Sequence, residues 1–128
     1  MNDADPTSPA STPLAVYGLA QCDTVRKARA WLQARGLSPD FHDFRKQGVP
    51  PARLPVWLAQ VGADRLVNRQ GTTWRRLDEA GRAQASGEGL AALLLAQGSL
   101  IRRPVVEWSD GAVTAGFDEA AWAARLAG

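Results

Sequence analysis

Residues 14–45 read LAVYGLAQCDTVRKARAWLQARGLSPDFHDFR and divide into segments of different pattern. Residues 14–18 form a short apolar run that ends in glycine, which predicts a buried strand. Residues 24–35 repeat apolar side chains at three- and four-residue spacing, which predicts a helix, and Gly36 is expected to end it in a left-handed conformation. Residues 40–45 predict a second strand. Because strand, helix and strand follow within about 30 residues, we expect the two strands to be parallel.

Helical and then strand-like segments make up the rest of the chain. Residues 50–98 predict a series of helices, which we expect to form a helical insertion. Residues 104–108 and 112–115 are apolar stretches around an Asp-Gly turn, a strong hairpin signal, and Asp118 is expected to cap a final helix. A parallel pair joined to an antiparallel pair gives a mixed four-stranded sheet with helices on both faces. This order, βαβ followed by ββα, is the thioredoxin-like arrangement of the α/β class, and it predicts a single domain over residues 14–128.

The composition excludes several classes of protein. The chain has 128 residues, of which 45% are hydrophobic and 22% charged, which is enough for one core. Its 15 basic and 13 acidic residues leave a net charge of +2, so no nucleic-acid partner is expected. No apolar run approaches the roughly 20 residues of a membrane span. The single cysteine, Cys22, and the single histidine, His42, exclude an internal disulfide and argue against a metal site.

Residues 1–13 differ in composition from the remainder. They hold three prolines and no basic residue, and we expect them to form a disordered tail. They also lack the basic start and apolar core of a secretory signal, so a cytoplasmic location is expected, where a lone cysteine stays reduced.

Cys22 is the candidate nucleophile. It lies between the first predicted strand and the first predicted helix, where unpaired N–H groups and the helix dipole stabilise an anion such as a thiolate. Thr24 is expected to cap the helix or bind the sulfur, whereas the carboxylate of Asp23 should oppose ionisation. The alternative, a small buried hydrophobe, is the commoner fate of a free cysteine. Position 25 is valine, so any catalytic disulfide must form with an external thiol such as glutathione.

Arginines supply candidate anion-binding groups. Arg69 lies in the predicted loop of residues 68–76, which also contains Trp74, a candidate wall of a pocket. Arg75 and Arg76 follow Trp74 and are expected on the solvated surface. Arg103 precedes Pro104 at the start of a strand, where thioredoxin-like folds place a cis proline beside the nucleophile.

Several of these segments together resemble the arsenate reductase/Spx family, and in particular its YffB-like branch. The resemblance extends over residues 14–126. It is carried by Val16-Tyr-Gly18, Cys22-Asp-Thr24, Lys27-Ala-Arg-Ala-Trp-Leu32, Asn68-Arg-Gln-Gly-Thr-Thr-Trp-Arg-Arg-Leu77, Leu100-Ile-Arg-Arg-Pro-Val105 and Gly116-Phe117.

The resemblance implies a thioredoxin-like fold with a helical insertion and Cys22 as the nucleophile. Arsenate reductases of this type hold the oxyanion with three arginines. Arg103 matches one of them, Arg69 lies within one residue of a second, whose ungapped counterpart is Asn68, and the third falls near Gly116, where this chain has no arginine. Losing one such contact costs about 1.5–3 kcal/mol of binding, which favours glutathione over arsenate as the ligand.

Three functions remain open from the sequence. The first is a glutathione-linked thiol reductase without a tightly bound cofactor, in which Cys22 attacks, Asp23 and Thr24 border the anion site, and Arg69 and Arg103 hold the ligand. The second is arsenate reduction with glutathione and glutaredoxin. The third is an Spx-like adaptor that binds RNA polymerase, although the Cys-x-x-Cys pair that Spx uses for redox sensing is missing here.

Overall fold

A computed structural model describes residues 11–85 and 87–127. The elements follow one another along the chain as β1 (Pro13–Gly18), α1 (Asp23–Gln33), β2 (Asp40–Asp43), α2 (Phe44–Gln47), α3 (Leu54–Val61), α4 (Ala63–Leu66), α5 (Thr72–Arg76), α6 (Glu79–Gln84), α7 (Leu90–Ala96), a 3-10 turn (Gly98–Leu100), β3 (Val105–Trp108), β4 (Val113–Ala115) and α8 (Glu119–Ala127). The strands form one sheet in the order β2-β1-β3-β4. This confirms the predicted thioredoxin-like fold with its mixed four-stranded sheet.

Strand β1 lies at the centre of the sheet. Its residue Val16 pairs in parallel with Phe41 of β2 and antiparallel with Val106 of β3. Strand β4 pairs antiparallel with β3 across the predicted Asp-Gly turn, in which Gly111 has a φ of 90°. The predicted parallel pair and hairpin are therefore both confirmed.

The ends of α1 and β2 differ slightly from the prediction. Helix α1 begins at Asp23 and ends at Gln33, one and two residues earlier than predicted. In the turn that follows, Gly36 has the expected positive φ, 75°, and the Leu37 N–H donates to the Leu32 carbonyl at 3.0 Å. Strand β2 stops at Asp43 instead of Arg45. The Asp43 carboxylate accepts from the Arg45 N–H at 2.8 Å and so caps the short helix α2, which explains the early end.

The insertion is more helical than the sequence predicted. Residues 50–53 form a turn, and the first helix begins at Leu54. The predicted loop of residues 68–76 contains helix α5, and α6 was not predicted at all. Asp78 caps α6, because its side chain accepts from the Gly81 N–H at 2.8 Å.

The ordered chain begins before the predicted boundary at residue 14. Pro13 already belongs to β1. The Thr12 N–H donates to the Ser109 Oγ at 3.0 Å, and the Thr12 carbonyl accepts from the Ser109 N–H at 2.8 Å. The Ser11 N–H donates to the Arg125 carbonyl at 3.0 Å. The predicted tail is therefore wrong for residues 11–13, and the rest of it lies outside the described residues.

Two hydrophobic clusters cover the two faces of the sheet, because alternate side chains of a strand point to opposite faces. On one face the insertion packs against the sheet, with Tyr17, Trp57, Leu66, Leu94, Ile101 and Val105 buried there. On the other face α1 and α8 cover the sheet, with Val16, Ala28, Leu32, Val106, Trp108 and Trp122 buried. The rings of Phe117 and Trp122 lie 4.8 Å apart and join the start of α8 to its buried face. No helix within the described residues is long and apolar enough to cross a membrane.

Candidate active site

Cys22 occupies the position just before the first turn of α1. Its backbone is extended, with φ −77° and ψ 128°, and its carbonyl accepts the Arg26 N–H at 2.9 Å. Its N–H donates to the Leu19 carbonyl at 3.1 Å, which closes the turn after β1. A side chain at this N-cap position faces the unpaired N–H groups of the first helical turn. Cys22 is half-buried, so the alternative prediction of a fully buried hydrophobic residue is wrong.

The surroundings of the sulfur favour its ionised form. Partial burial opposes ionisation, but the Val25 N–H, the hydrogen bond and positive charge of Arg103, and the Thr24 N–H outweigh it and hold the pKa of the Cys22 thiol below its ordinary value. Among the described residues, the Cys22 side chain accepts no capping hydrogen bond. Thr24 thus contributes through its backbone, not through the predicted hydroxyl cap.

Arg103 reaches the thiol from the segment that leads into β3. Its peptide bond to Pro104 is cis, as predicted. The Arg103 guanidinium is fixed by a hydrogen bond from Nη1 to the Ser99 carbonyl at 2.8 Å, and its Nε is buried with no hydrogen-bond partner among residues 11–85 and 87–127. Gly18 allows this close packing, because a Cβ there would lie 2.8 Å from Cγ2 of Val25 and 3.8 Å from Cβ of Arg103.

A cleft of about 600 Å³ opens beside the thiol, and we call it the arginine cleft. Its lining includes Cys22, Thr24, Arg65, Asn68, Arg102 and Arg103. Its volume lies within the range of about 300–1,000 Å³ that is usual for small-molecule sites. Two carboxylates, Asp64 and Asp118, also border it, so the cleft carries more positive than negative groups.

A short β-bridge joins two chain segments that both line this cleft. Val67 pairs antiparallel with Ile101, the Asn68 N–H donates to the Leu100 carbonyl at 2.7 Å, and the Arg102 N–H donates to the Leu66 carbonyl at 2.7 Å. The pairing places the end of α4 next to the segment before β3. Arg65 and Arg102 therefore lie in one wall, a juxtaposition that the separate sequence patterns did not reveal.

Arg102 is a cleft residue that the sequence analysis did not assign. Its Nε donates to the Arg65 carbonyl at 2.9 Å, and it pairs with no carboxylate in residues 11–85 and 87–127. Gly116, at the place of the missing family arginine, has a φ of 91°, and a Cβ there would lie 3.4 Å from Cδ of Arg102. The Arg102 side chain thus packs over the glycine.

Arg69, Asp23 and Trp74 are not brought into the arginine cleft. Arg69 Nη1 lies 3.5 Å from Asp64 Oδ1, and its guanidinium is 5.3 Å from the Trp74 ring. Asn68, instead of Arg69, lines the cleft. Trp74 packs against the core of the insertion, and the exposed Asp23 carboxylate pairs with Arg26 in the first turn of α1.

His42 lies on β2 away from this cleft. Its ring stacks on Tyr17 with centroids 4.6 Å apart, and Nδ1 lies 3.0 Å from the Gln47 Oε1. Within the described part of the chain no group of three or more His, Cys, Asp or Glu residues is placed to hold a metal ion.

The pH dependence of Cys22 alkylation tests the electrostatics of the site. We expect the native protein to react with iodoacetamide with a midpoint pH below that of the urea-unfolded chain, because its thiol pKa is lowered. The native state then binds fewer protons between the two midpoints, so ionised Cys22 stabilises the fold at high pH and this contribution is lost as the pH falls through the native pKa. Identical midpoints in both states would contradict the prediction.

The comparison with known proteins agrees with this geometry. The ArsC family model matches residues 17–125. The chain is similar to the solved structure of a YffB protein, at 42% identity over 88% of this chain and 97% of that one, with a TM-score of 0.81. It is also similar to an arsenate reductase-related protein from Brucella melitensis, at 39% identity over 91% of this chain and 97% of that one, with a TM-score of 0.69.

More distant structures and a curated relative extend the comparison. An arsenate reductase from Vibrio cholerae, at 21% identity over 90% of this chain and all of that one, shares the fold with a TM-score of 0.71. A Haemophilus influenzae protein described as uncharacterized is 36% identical over 114 residues, which is 89% of this chain and 99% of that protein. The family model covers most of the described domain and includes Cys22, the Val67–Ile101 bridge and the cis proline, so this chain belongs to the ArsC family.

Proposed function

We propose that the protein is a glutathione-linked thiol-disulfide oxidoreductase that works through one cysteine. The observation that carries this proposal is a half-buried thiol of lowered pKa, in contact with Arg103, at the edge of a cleft rich in arginine. The thiolate is the attacking form of cysteine, and its disulfide chemistry needs a ligand whose anionic groups are held nearby. The reduced thiol that the reaction requires fits the cytoplasm.

The reaction takes two exchange steps. The Cys22 thiolate attacks one sulfur of a disulfide that contains glutathione, forms a Cys22–glutathione mixed disulfide and releases the other half as a thiolate. The chain has no second cysteine to resolve this intermediate. A thiolate of glutathione then attacks the glutathione sulfur, which releases oxidised glutathione and restores Cys22; glutaredoxin is the alternative partner for this step.

The arginine cleft is suited to the carboxylates of glutathione. Arg102 and Arg103 border it together with Arg65, and guanidinium groups bind carboxylates through paired hydrogen bonds. In this proposal Arg102 takes the role that the sequence analysis gave to Arg69. Thr24 lines the cleft beside the sulfur, where its backbone N–H stabilises the thiolate.

Mass spectrometry after incubation with oxidised glutathione tests the proposal. We expect one glutathione per chain on the wild type and none on Cys22→Ser, and we expect reduced glutathione or glutaredoxin to remove it. The Arg102→Gln variant should acquire the adduct about ten- to a hundredfold more slowly, because one charge-assisted contact of about 1.5–3 kcal/mol is lost. A wild-type protein without adduct would refute glutathione chemistry, and its co-purification with RNA polymerase would favour the Spx-like function instead.

Arsenate is the second candidate substrate. One related structure is named an arsenate reductase and another a possible arsenate reductase. Three guanidinium groups line the arginine cleft, and guanidinium binds oxyanions through paired hydrogen bonds. Turnover of arsenate with glutathione and glutaredoxin, lost in Cys22→Ser, would establish this reaction. A glutathione adduct without arsenate turnover would leave disulfide exchange as the function.

A further inference from the structure

Cys22 also borders a second cleft, which lies along the loop after β1 and the helix α2. We call it the loop cleft; its volume is about 420 Å³, and its lining comprises Leu19, Ala20, Gln21, Cys22, Asp43, Arg45, Lys46 and Arg103. It shares only Cys22 and Arg103 with the arginine cleft. The reactive sulfur therefore stands at the junction of two separate cavities, each large enough for part of a substrate.

The loop cleft has an apolar part and an unbalanced positive edge. Leu19 and Ala20 supply the apolar surface. The carboxylate of Asp43 is buried and already accepts the N–H groups of Arg45 at 2.8 Å and Ala20 at 3.4 Å. Arg45 and Lys46 are exposed, and neither is paired with a carboxylate within the described ranges.

The charges around the loop cleft indicate which kind of chemical group would bind there. The guanidinium of Arg45 has a weak contact from Nη1 to the Gln21 Oε1 at 3.5 Å, which leaves its charge uncompensated. Two uncompensated cations beside apolar side chains complement a segment that carries both apolar atoms and a carboxylate. The arginine cleft is bordered more heavily by polar groups, and it suits the more polar half of a substrate.

Disulfide geometry explains why two clefts are useful. The torsion about an S–S bond is about 85–100°, so the two substituents leave the bond in different directions. A nucleophile that attacks a mixed disulfide must therefore accommodate two diverging groups. Cys22 lines both clefts, so each group of such a disulfide has a cavity beside this residue.

We propose that the loop cleft binds the polypeptide half of a protein–glutathione mixed disulfide, at a cysteine flanked by acidic residues. This inference rests on the proposed function and names its substrate. The Cys22 thiolate attacks the glutathione sulfur in the arginine cleft, the S–S bond of the substrate breaks, and the protein cysteine leaves the loop cleft as a thiolate. The glutathione is transferred to Cys22 with its oxidation state unchanged, so this step needs no further oxidant or reductant.

Two glutathionylated peptides of equal length test the proposal, one with glutamates and one with lysines beside its cysteine. Single-turnover release of the peptide thiol is measured for the wild type, for Arg45→Glu/Lys46→Glu, and for Arg75→Glu/Arg76→Glu. The last variant makes the same change of charge at exposed residues of α5 that line neither cleft. Each rate is divided by the iodoacetamide rate of the same variant, which corrects for any change at the thiol itself.

We expect the wild type to release the acidic peptide about tenfold faster than the basic one, an advantage that weakens as salt is added. The Arg45→Glu/Lys46→Glu variant should reverse the preference, and the control variant should keep it. Equal rates for both peptides, or an equal loss in both variants, would overturn the loop cleft as the binding site. Absence of any reaction with oxidised glutathione would instead refute the proposed function. If the charge-reversed variant Arg45→Glu/Lys46→Glu is unstable, the neutral variant Arg45→Gln/Lys46→Gln provides a second measurement.

Discussion

Replacement of Arg103 by glutamine is expected to weaken the ionisation of the Cys22 thiol by about tenfold in its equilibrium constant. Arg103 acts on the thiolate through both a hydrogen bond and its positive charge. A hydrogen bond to a charged group contributes about 1.5–3 kcal/mol, and 1.36 kcal/mol corresponds to a factor of ten in ionisation. The pH profile of iodoacetamide alkylation measures the change, and its midpoint should move to higher pH.

The variant Arg103→Lys separates charge from geometry. Lysine keeps the positive charge but cannot reproduce the planar guanidinium that also binds the Ser99 carbonyl, so we expect an intermediate midpoint. Above the pKa of all the variants their alkylation rates should agree to within about threefold, because each thiol is then fully ionised and the nucleophilicity of a thiolate rises only slowly with its pKa. A much slower variant at that pH would indicate a displaced or occluded sulfur, and an unchanged midpoint in Arg103→Gln would contradict the assigned role.

Replacement of Trp57 by alanine is expected to cost about 3–5 kcal/mol of unfolding free energy. Trp57 is fully buried where the insertion meets the sheet, with its ring 4.8 Å from that of Tyr17. Its Nε1 donates to the Glu107 Oε2 at 2.9 Å, and the same oxygen accepts from Arg53 Nε at 2.7 Å. Burial, together with this carboxylate, raises the pKa of Tyr17. Removal of the Trp57 indole therefore leaves a cavity beneath β1 and takes away one hydrogen bond to the Glu107 carboxylate.

Urea denaturation measures this effect, with two variants for comparison. Trp57→Phe keeps most of the ring volume and removes the N–H, so we expect a smaller loss of about 1–3 kcal/mol. Trp74 is only partly buried, and Trp74→Ala should cost less than Trp57→Ala. If Trp57→Ala and Trp74→Ala were equally stable, the insertion would not be anchored to the sheet through Trp57.

The sequence predicted the sheet and the position of Cys22 before the first helix well, because their signals are local. An apolar run before Gly18, periodic residues in α1, and the Asp-Gly turn each determine structure within a few residues. Helix α5 was missed because its Gly-Thr-Thr-Trp segment has no periodic apolar face and no side-chain cap. The family resemblance helped most where local signals were weak, notably at the cis proline.

The cationic lining of the site was less predictable from the sequence. Arg69 and Asn68 are adjacent, and only their tertiary surroundings decide which faces the sulfur. The pairing of Val67 with Ile101 places Asn68 at the cleft, whereas Arg69 lies outside its lining with Nη1 3.5 Å from Asp64 Oδ1. Arg102 enters the cleft over a glycine far along the chain, a relation that no local pattern contains.

The dependence of Cys22 on Arg103 has a consequence during protein synthesis. The ribosome makes Cys22 long before it makes Arg103, and the arginine reaches the sulfur only when the segment before β3 docks beside β1. A nascent chain therefore carries a thiol of ordinary acidity, which reacts slowly with oxidants. The part of the reactivity that depends on Arg103 is acquired only after this segment has docked, so an incomplete polypeptide is less open to side reactions than the finished protein.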